Sequence, residues 1–338
     1  MRREDPRLVV QPAPFLRARP TTPGAMRDVV YALIPIVLGA TWWFGLSALL
    51  VLLAASAGAL LTEWAFSAAP RRGERLRDLS ALATGLLLGL ALPPGLPLWM
   101  AFIGGAVGIG LGKLIWGGLG QNLFNPALVG RAFLLAAFPT AMTTWKAPGE
   151  PGRFFAVASS NLALPLTQPM VDGLTAATPL GLMKFSGQET PLAKLLLGNT
   201  AGCFGETSGL LILLGGLFLM LRRSLDWRIT ISIVLSTAVF SGLLHLVQAR
   251  YPDPLVSVFS GGLLFGAVFM ATDPVTSPVT PKGAWIYGTG IGLLTMLIRT
   301  FGGFPEGVMY AILLMNAATP WIEHYTQPRP FGRRWPSG

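Results

Sequence analysis

Hydroxyls and carboxamides set beside proline-interrupted turns are the residues of this sequence best placed to do chemistry. Thr178 ends the polar part of the run Asp172-Gly173-Leu174-Thr175-Ala176-Ala177-Thr178-Pro179-Leu180. By itself that run reads as a polar turn before a proline. Asn122 and Asn125 sit in a Gly-rich stretch, 117–126, and Thr272 and Asp273 in a second stretch, 270–283. Carboxamides both donate and accept hydrogen bonds, so they suit a polar organic ligand. Asn125 before Pro126 also reads as a helix cap followed by a first-turn proline, and capping is compatible with binding.

Other chemistries lack their residues. Cys203 is the sole cysteine and His occurs twice. One thiol forms no internal disulfide and holds no zinc or iron–sulfur centre alone, so Cys203 reads as a small buried apolar residue. There is no phosphate-binding Gly-Lys loop and no dinucleotide fingerprint, so NAD and iron–sulfur work falls to other chains. Glu63, His245 and Arg299 stand near the ends of apolar stretches, where snorkelling accounts for them. Glu206 and Glu306 flank Gly-rich turns, either lining a pocket or solvated.

The elements that must position these residues are apolar. Of 338 residues, 52% are hydrophobic and 12% charged, with a mean hydropathy of +0.58. Soluble domains carry roughly 25% charged residues. Apolar stretches at 29–46, 47–66, 79–93, 97–116, 125–140, 208–222, 228–248, 256–272, 284–300 and 306–323 predict about ten transmembrane helices, several short or Gly/Pro-interrupted. The net charge of +10 is mainly orientation. Arginines in the amino-terminal tail, at 71–77, at 222–228 and after the last span, with Lys113 and Lys282, fall on one side of a ten-span protein. That side is cytoplasmic by the positive-inside rule, which puts both termini there and makes a nucleic-acid partner a poor explanation of the charge. Trp42, Trp43, Trp99 and Trp116 lie near span ends, as an interfacial belt does.

The chain divides into a tail (1–28), a first helical unit (29–140), a long loop on the outer side (141–207), a second helical unit (208–323) and a tail (324–338). Phe154, Phe155, Leu162 and the run Leu192–Leu197 predict that the loop packs on the helices. Residues 86–138 and 262–318 share an order of features: a Gly-rich entry, a proline, a Gly-rich span, a Gly-Gly pair, and a proline before an apolar helix. Entered from opposite sides, these predict an inverted five-plus-five repeat with interrupted helices and ligands at the repeat interface.

Gly117-Gly118-Leu119-Gly120-Gln121-Asn122-Leu123-Phe124-Asn125-Pro126-Ala127-Leu128-Val129-Gly130-Arg131-Ala132-Phe133 resembles the signature of a known family. So do Met270-Ala271-Thr272-Asp273-Pro274-Val275, Thr280-Pro281-Lys282-Gly283 and Gly302-Gly303-Phe304-Pro305-Glu306-Gly307, in the same order and spacing. The family unites the B subunit of sodium-translocating NADH:quinone oxidoreductase with the D subunit of the Rnf ferredoxin:NAD oxidoreductase. The ending Tyr325–Pro330 and the length are similar to the Rnf branch. Asp172, Thr175 and Thr178 resemble its flavinylation motif; Ala176 stands where members often carry Gly, a departure that removes no reactive group.

The resemblance implies FMN joined by a phosphoester to the Thr178 hydroxyl, attached by a dedicated flavin transferase. It also implies a non-covalent riboflavin among the helices, for which Asn122, Asn125, Thr272 and Asp273 are the candidate contacts. The function implied is electron transfer within an ion-translocating complex of the bacterial inner membrane, beside flavin- and iron–sulfur-bearing partners, with no complete activity in this chain alone. A solute channel or transporter with inverted repeats is the rival reading, and Thr178 discriminates between the two.

Overall fold

The computed structural model describes residues 21–67, 72–155, 157–165, 176–248, 251–303 and 305–328. Among them every regular element is helical. Helix α1 (Thr22–Phe44) starts where the Thr21 hydroxyl accepts from the Gly24 N–H at 3.3 Å. Gly45, at φ 66°, turns the chain into α2 (Leu46–Phe66). Its left-handed conformation and missing side chain are both needed, because a Cβ there would collide with the Arg153 carbonyl. Then come α3 (Ser80–Leu90), α4 (Leu98–Ile109, extended by the π turn Gly110–Leu114) and α5 (Pro126–Ala137).

After the long connection follow α6 (Gly209–Leu221) and α7 (Trp227–Val247). Helix α8 (Pro254–Phe259) breaks at Ser260–Gly262 and resumes as Leu263–Phe265 and the π turn Gly266–Met270. The last two are α9 (Pro281–Phe301) and α10 (Val308–Thr326). Each apolar stretch read from the sequence is thus helical.

By length and apolarity three of these helices, α1, α2 and α7, are able to cross a membrane. α3 and α5 have 11 and 12 residues. At 1.5 Å per residue such a helix reaches under about 20 Å, short of the roughly 30 Å hydrocarbon core. α8 is interrupted, and α9 carries Lys282, Thr295 and Arg299. On the outside of the long helices, Leu38, Leu53, Leu235 and Leu243 are each more than half exposed. So large an apolar exterior favours a lipid surround over water.

Small residues bring the helices together. A Cβ on Gly58 would strike the Phe102 carbonyl and one on Gly105 the Ala55 carbonyl, so α2 and α4 touch backbone to backbone. In the second half, Gly288 and Gly292 of α9 do the same against Ile229, Ser232, Ile233 and Ser236 of α7. α4 also packs on α5, α9 on α10, and α1 joins the halves by packing on α6.

The long connection is pinned to this frame. Asn161 donates to the carbonyls of Pro94 (3.0 Å) and Leu96 (2.8 Å), and the Leu46 N–H donates to the Arg153 carbonyl at 2.9 Å. Leu195 is buried, in line with the packing expected of the Leu192–Leu197 run. Phe154 rests its half-exposed ring against Trp42 of α1 at 6.2 Å, whereas Phe155 and Leu162, expected to pack as well, are instead exposed, Phe155 by 94%. They lie on the outward face of a segment held to the helices by its backbone and by Asn161.

Two residues expected to snorkel, Glu63 and Arg299, are buried instead. Glu63 and Lys113 pair at 2.5 Å, with side chains 1% and 3% exposed, and Lys113 also donates to the Ser80 hydroxyl at 2.6 Å. Lys113 therefore adds little to the surface charge that sets orientation. Arg299 donates to the carbonyls of Ser257 (2.6 Å) and Ser260 (3.0 Å), capping α8 where it breaks, rather than reaching for a surface. His245 bonds the Tyr251 carbonyl at 2.7 Å. Of the four tryptophans, Trp42 and Trp116 are exposed, while the Trp99 indole N–H is buried without a hydrogen bond.

Candidate functional site

Thr178 caps the short helix Pro179–Gly181. Its hydroxyl oxygen accepts from the Gly181 N–H at 3.1 Å and its carbonyl from the Leu182 N–H at 2.8 Å. The Ala176 N–H donates to the Trp145 carbonyl at 3.0 Å, tying the extended approach to the rest of the connection. Thr178 is 8% exposed and forms part of the wall of a cavity of about 410 Å³. That volume falls within the roughly 300–1,000 Å³ of small-molecule and cofactor sites. Leu135, Met142, Trp145, Phe185, Met309 and Tyr310 give it apolar and aromatic walls. A flat amphipathic ring suits such walls, and a phosphoester at Thr178 would hold it there. The residues therefore fit an FMN. Asp172 and Thr175, the other two positions of the motif, lie outside the described residues.

One wall of this cavity carries Arg131 and Glu306, and Glu206 lies behind it. Arg131 of α5 donates to Glu306 at 2.8 Å, stands 3.7 Å from Glu206 and approaches the Cys203 sulfur at 3.3 Å. The side chains of Arg131 and Glu206 are 11% and 7% exposed. Burial, then the charge of Glu306, pushes the Glu206 carboxyl up from the ordinary value to about 7. Burial likewise raises the Cys203 thiol, keeping it neutral. Cys203 is the buried small residue expected. Glu206 and Glu306 are not solvated turn residues: they share one guanidinium. The ligating atoms of Cys203, Glu206 and Glu306 lie within 4.8 Å of one another, but Arg131 already supplies the cation among them.

Asn122, Asn125, Thr272 and Asp273 meet at the other end of α5, around a space of about 60 Å³ that Lys113 also borders. Asn125 is the N-cap of α5, accepting from Ala127 (3.0 Å) and Leu128 (3.4 Å), and it donates to the Met270 carbonyl at 3.1 Å. One side chain thus caps a helix of the first half and holds the broken helix of the second. Thr272 donates back to the Val268 carbonyl at 2.5 Å. Asp273 closes a turn by accepting from the Val275 N–H at 3.3 Å, and burial raises its carboxyl to about 6. Asn122 donates to the Phe124 carbonyl at 3.3 Å, while its carbonyl oxygen is buried without a partner.

The four residues expected around a second flavin are therefore together and of the right chemical type. The space between them, about 60 Å³, is below the roughly 300 Å³ at which cofactor pockets begin. Sequence reasoning placed Asn125 correctly because cap and proline are adjacent. It passed over Arg131 and Lys113 as partners, since Lys113 and Glu63 are joined only by folding.

The pattern of a family described as NQR2, RnfD, RnfE matches residues 9–332 of the chain. The D subunit of the ion-translocating oxidoreductase complex of Alcanivorax borkumensis is 40% identical over 337 residues, 97% of each chain. The D subunit of the proton-translocating ferredoxin:NAD(+) oxidoreductase complex of Clostridium ljungdahlii is 39% identical, covering 96% of each. The Na(+)-translocating counterpart from Acetobacterium woodii is 40% identical over 96% of this chain and 95% of its own.

Proposed function

The chain belongs to the NQR2, RnfD, RnfE family, and from that premise we propose that it is the flavin-bearing membrane subunit of an Rnf-type ferredoxin:NAD oxidoreductase, with FMN esterified to Thr178. The observation that carries this reading is Thr178 in the wall of a cofactor-sized, aromatic-lined cavity. When bound, the flavin supplies the electron-carrying chemistry. The chain supplies the rest. Thr178 fixes the tether, the aromatic and Met side chains confine the ring, and Arg131 and Glu306 set the charge beside it. Other subunits of the complex exchange electrons with this site, and a flavin transferase builds it.

In this reading the ten helices span the inner membrane, both termini are cytoplasmic, and the Thr178 cavity opens on the outer side. The matched packing of α2 on α4 and α7 on α9, through glycines in each case, supports two halves of like construction. Riboflavin at the Asn125 end would require the space there to open.

The test is denaturing electrophoresis of the chain coexpressed with a flavin transferase. The wild-type band fluoresces under ultraviolet light and the Thr178→Ala band is dark. A dark wild-type band would favour the transporter reading.

A further inference from the structure

Glu206 is not used by anything described so far. Its Oε1 is buried without a hydrogen bond and points at Gly262, a residue of the cavity wall with no side chain to cover it. A Cβ on Gly262 would lie 3.0 Å from that oxygen. The charged groups facing Glu206 come from three elements besides its own. Arg131 of α5 gives its 2.8 Å hydrogen bond to Glu306, of the turn before α10, and stands 3.7 Å from Glu206. Arg299 of α9 has committed two of its nitrogens to the carbonyls of Ser257 and Ser260. Cys203, on the same loop as Glu206, is a neutral thiol.

Arg131 and Glu306 thus form a hydrogen-bonded pair, and an ionised Glu206 is balanced only by Arg299, which spends its hydrogen bonds on carbonyls, so any further negative charge nearby favours protonation of Glu206. A phosphodiester on Thr178 adds one negative charge to the cavity on the other side of Gly262, and an electron on the ring adds another.

We propose that Glu206 is a redox-linked proton site: it binds one proton from the outer solution when negative charge builds in the Thr178 cavity and releases it when that charge leaves. The inference rests on the covalent attachment proposed above. The electron comes from the reduced side of the complex, the ferredoxin-class donor. The proton forms one O–H bond on the Glu206 carboxylate, and no bond of the cofactor is made or broken by this residue. Glu206 acts through its charge and is a positioning residue, not a catalytic one. Its raised proton affinity places the exchange in the neutral range.

The experiment is infrared difference spectroscopy of the full chain coexpressed with a flavin transferase, oxidised against reduced, in H₂O and D₂O. The expected result is a protonated-carboxyl band that grows on reduction, shifts in D₂O, is lost in Glu206→Gln and is kept in Glu206→Asp. The midpoint potential of the covalent flavin should depend less steeply on pH in Glu206→Gln than in the wild type. A second readout needs no electron transfer: in Thr178→Ala the Glu206 carboxyl titrates at lower pH than in the flavinylated protein. This comparison uses no change at position 206, so it holds even if Glu206→Gln fails to fold. A fluorescent wild-type band with no redox-sensitive carboxyl, or equal titration in wild type and Thr178→Ala, overturns the proton site alone. A dark wild-type band overturns the attachment, and the proton site with it.

Discussion

Glu63 and Lys113 show how much a single buried charge can depend on one partner. They are 50 positions apart, and their side chains are almost fully enclosed between α2, α3 and the end of α4. Removing one partner of a buried ion pair costs about 3–5 kcal/mol, because the other charge is left uncompensated, whereas replacing both with apolar residues is often neutral or stabilising. Glu63→Leu or Lys113→Met should each lower the thermal midpoint of the detergent-solubilised chain sharply. The double variant should recover most of the loss, and additive losses would refute the mutual dependence of the pair. Nothing in the sequence joins these residues. An acid and a base near the ends of separate apolar stretches look alike whether they reach for water or for each other. Arg131, Glu206 and Glu306 are unreadable for the same reason. Asn125 was legible because its cap and its proline are consecutive, but its hydrogen bond to Met270 was not.

At the scale of elements, α5 is the member that connects the two ends of the site. Asn125 caps it beside the small inner space, and Arg131, six residues on, reaches the Thr178 cavity, a rise of about 9 Å along the axis. Its register therefore sets both. Asn125→Ala removes the cap and the link to α8 together, for which a cap alone is worth about 1 kcal/mol. Asn125→Ser keeps a capping hydroxyl and loses the reach to Met270. Hydrogen exchange at Ala127 and Leu128 should accelerate in the alanine variant and much less in the serine variant. Equal rates in both would show that the interhelix bond, not the cap, holds the start of α5. The positions of the helices followed from apolar runs and proline or glycine punctuation. The break in α8 at Ser260–Gly262 did not, because the residues on either side are as apolar as in an unbroken helix.

For the whole molecule, α2 packs on α4 before the long connection and α7 on α9 after it, and that connection is strapped to the first half by Asn161 and the Arg153 carbonyl. The orientation proposed from arginine distribution has a direct check, since the sole native cysteine is buried. In intact cells a membrane-impermeant thiol reagent should label Gln188→Cys, on the long connection, and spare Arg223→Cys, in the turn between α6 and α7, until the membrane is opened. Labelling of both in intact cells would reject the proposed arrangement of sides.

The central claim concerns one oxygen atom, the Oγ1 of Thr178. Mass spectrometry of the proteolytic peptide that contains it, from the complex purified out of its native host, reads the claim directly. The predicted peptide is heavier by one FMN less one water, with fragmentation placing the addition on Thr178. An unmodified peptide from an actively respiring culture would contradict it.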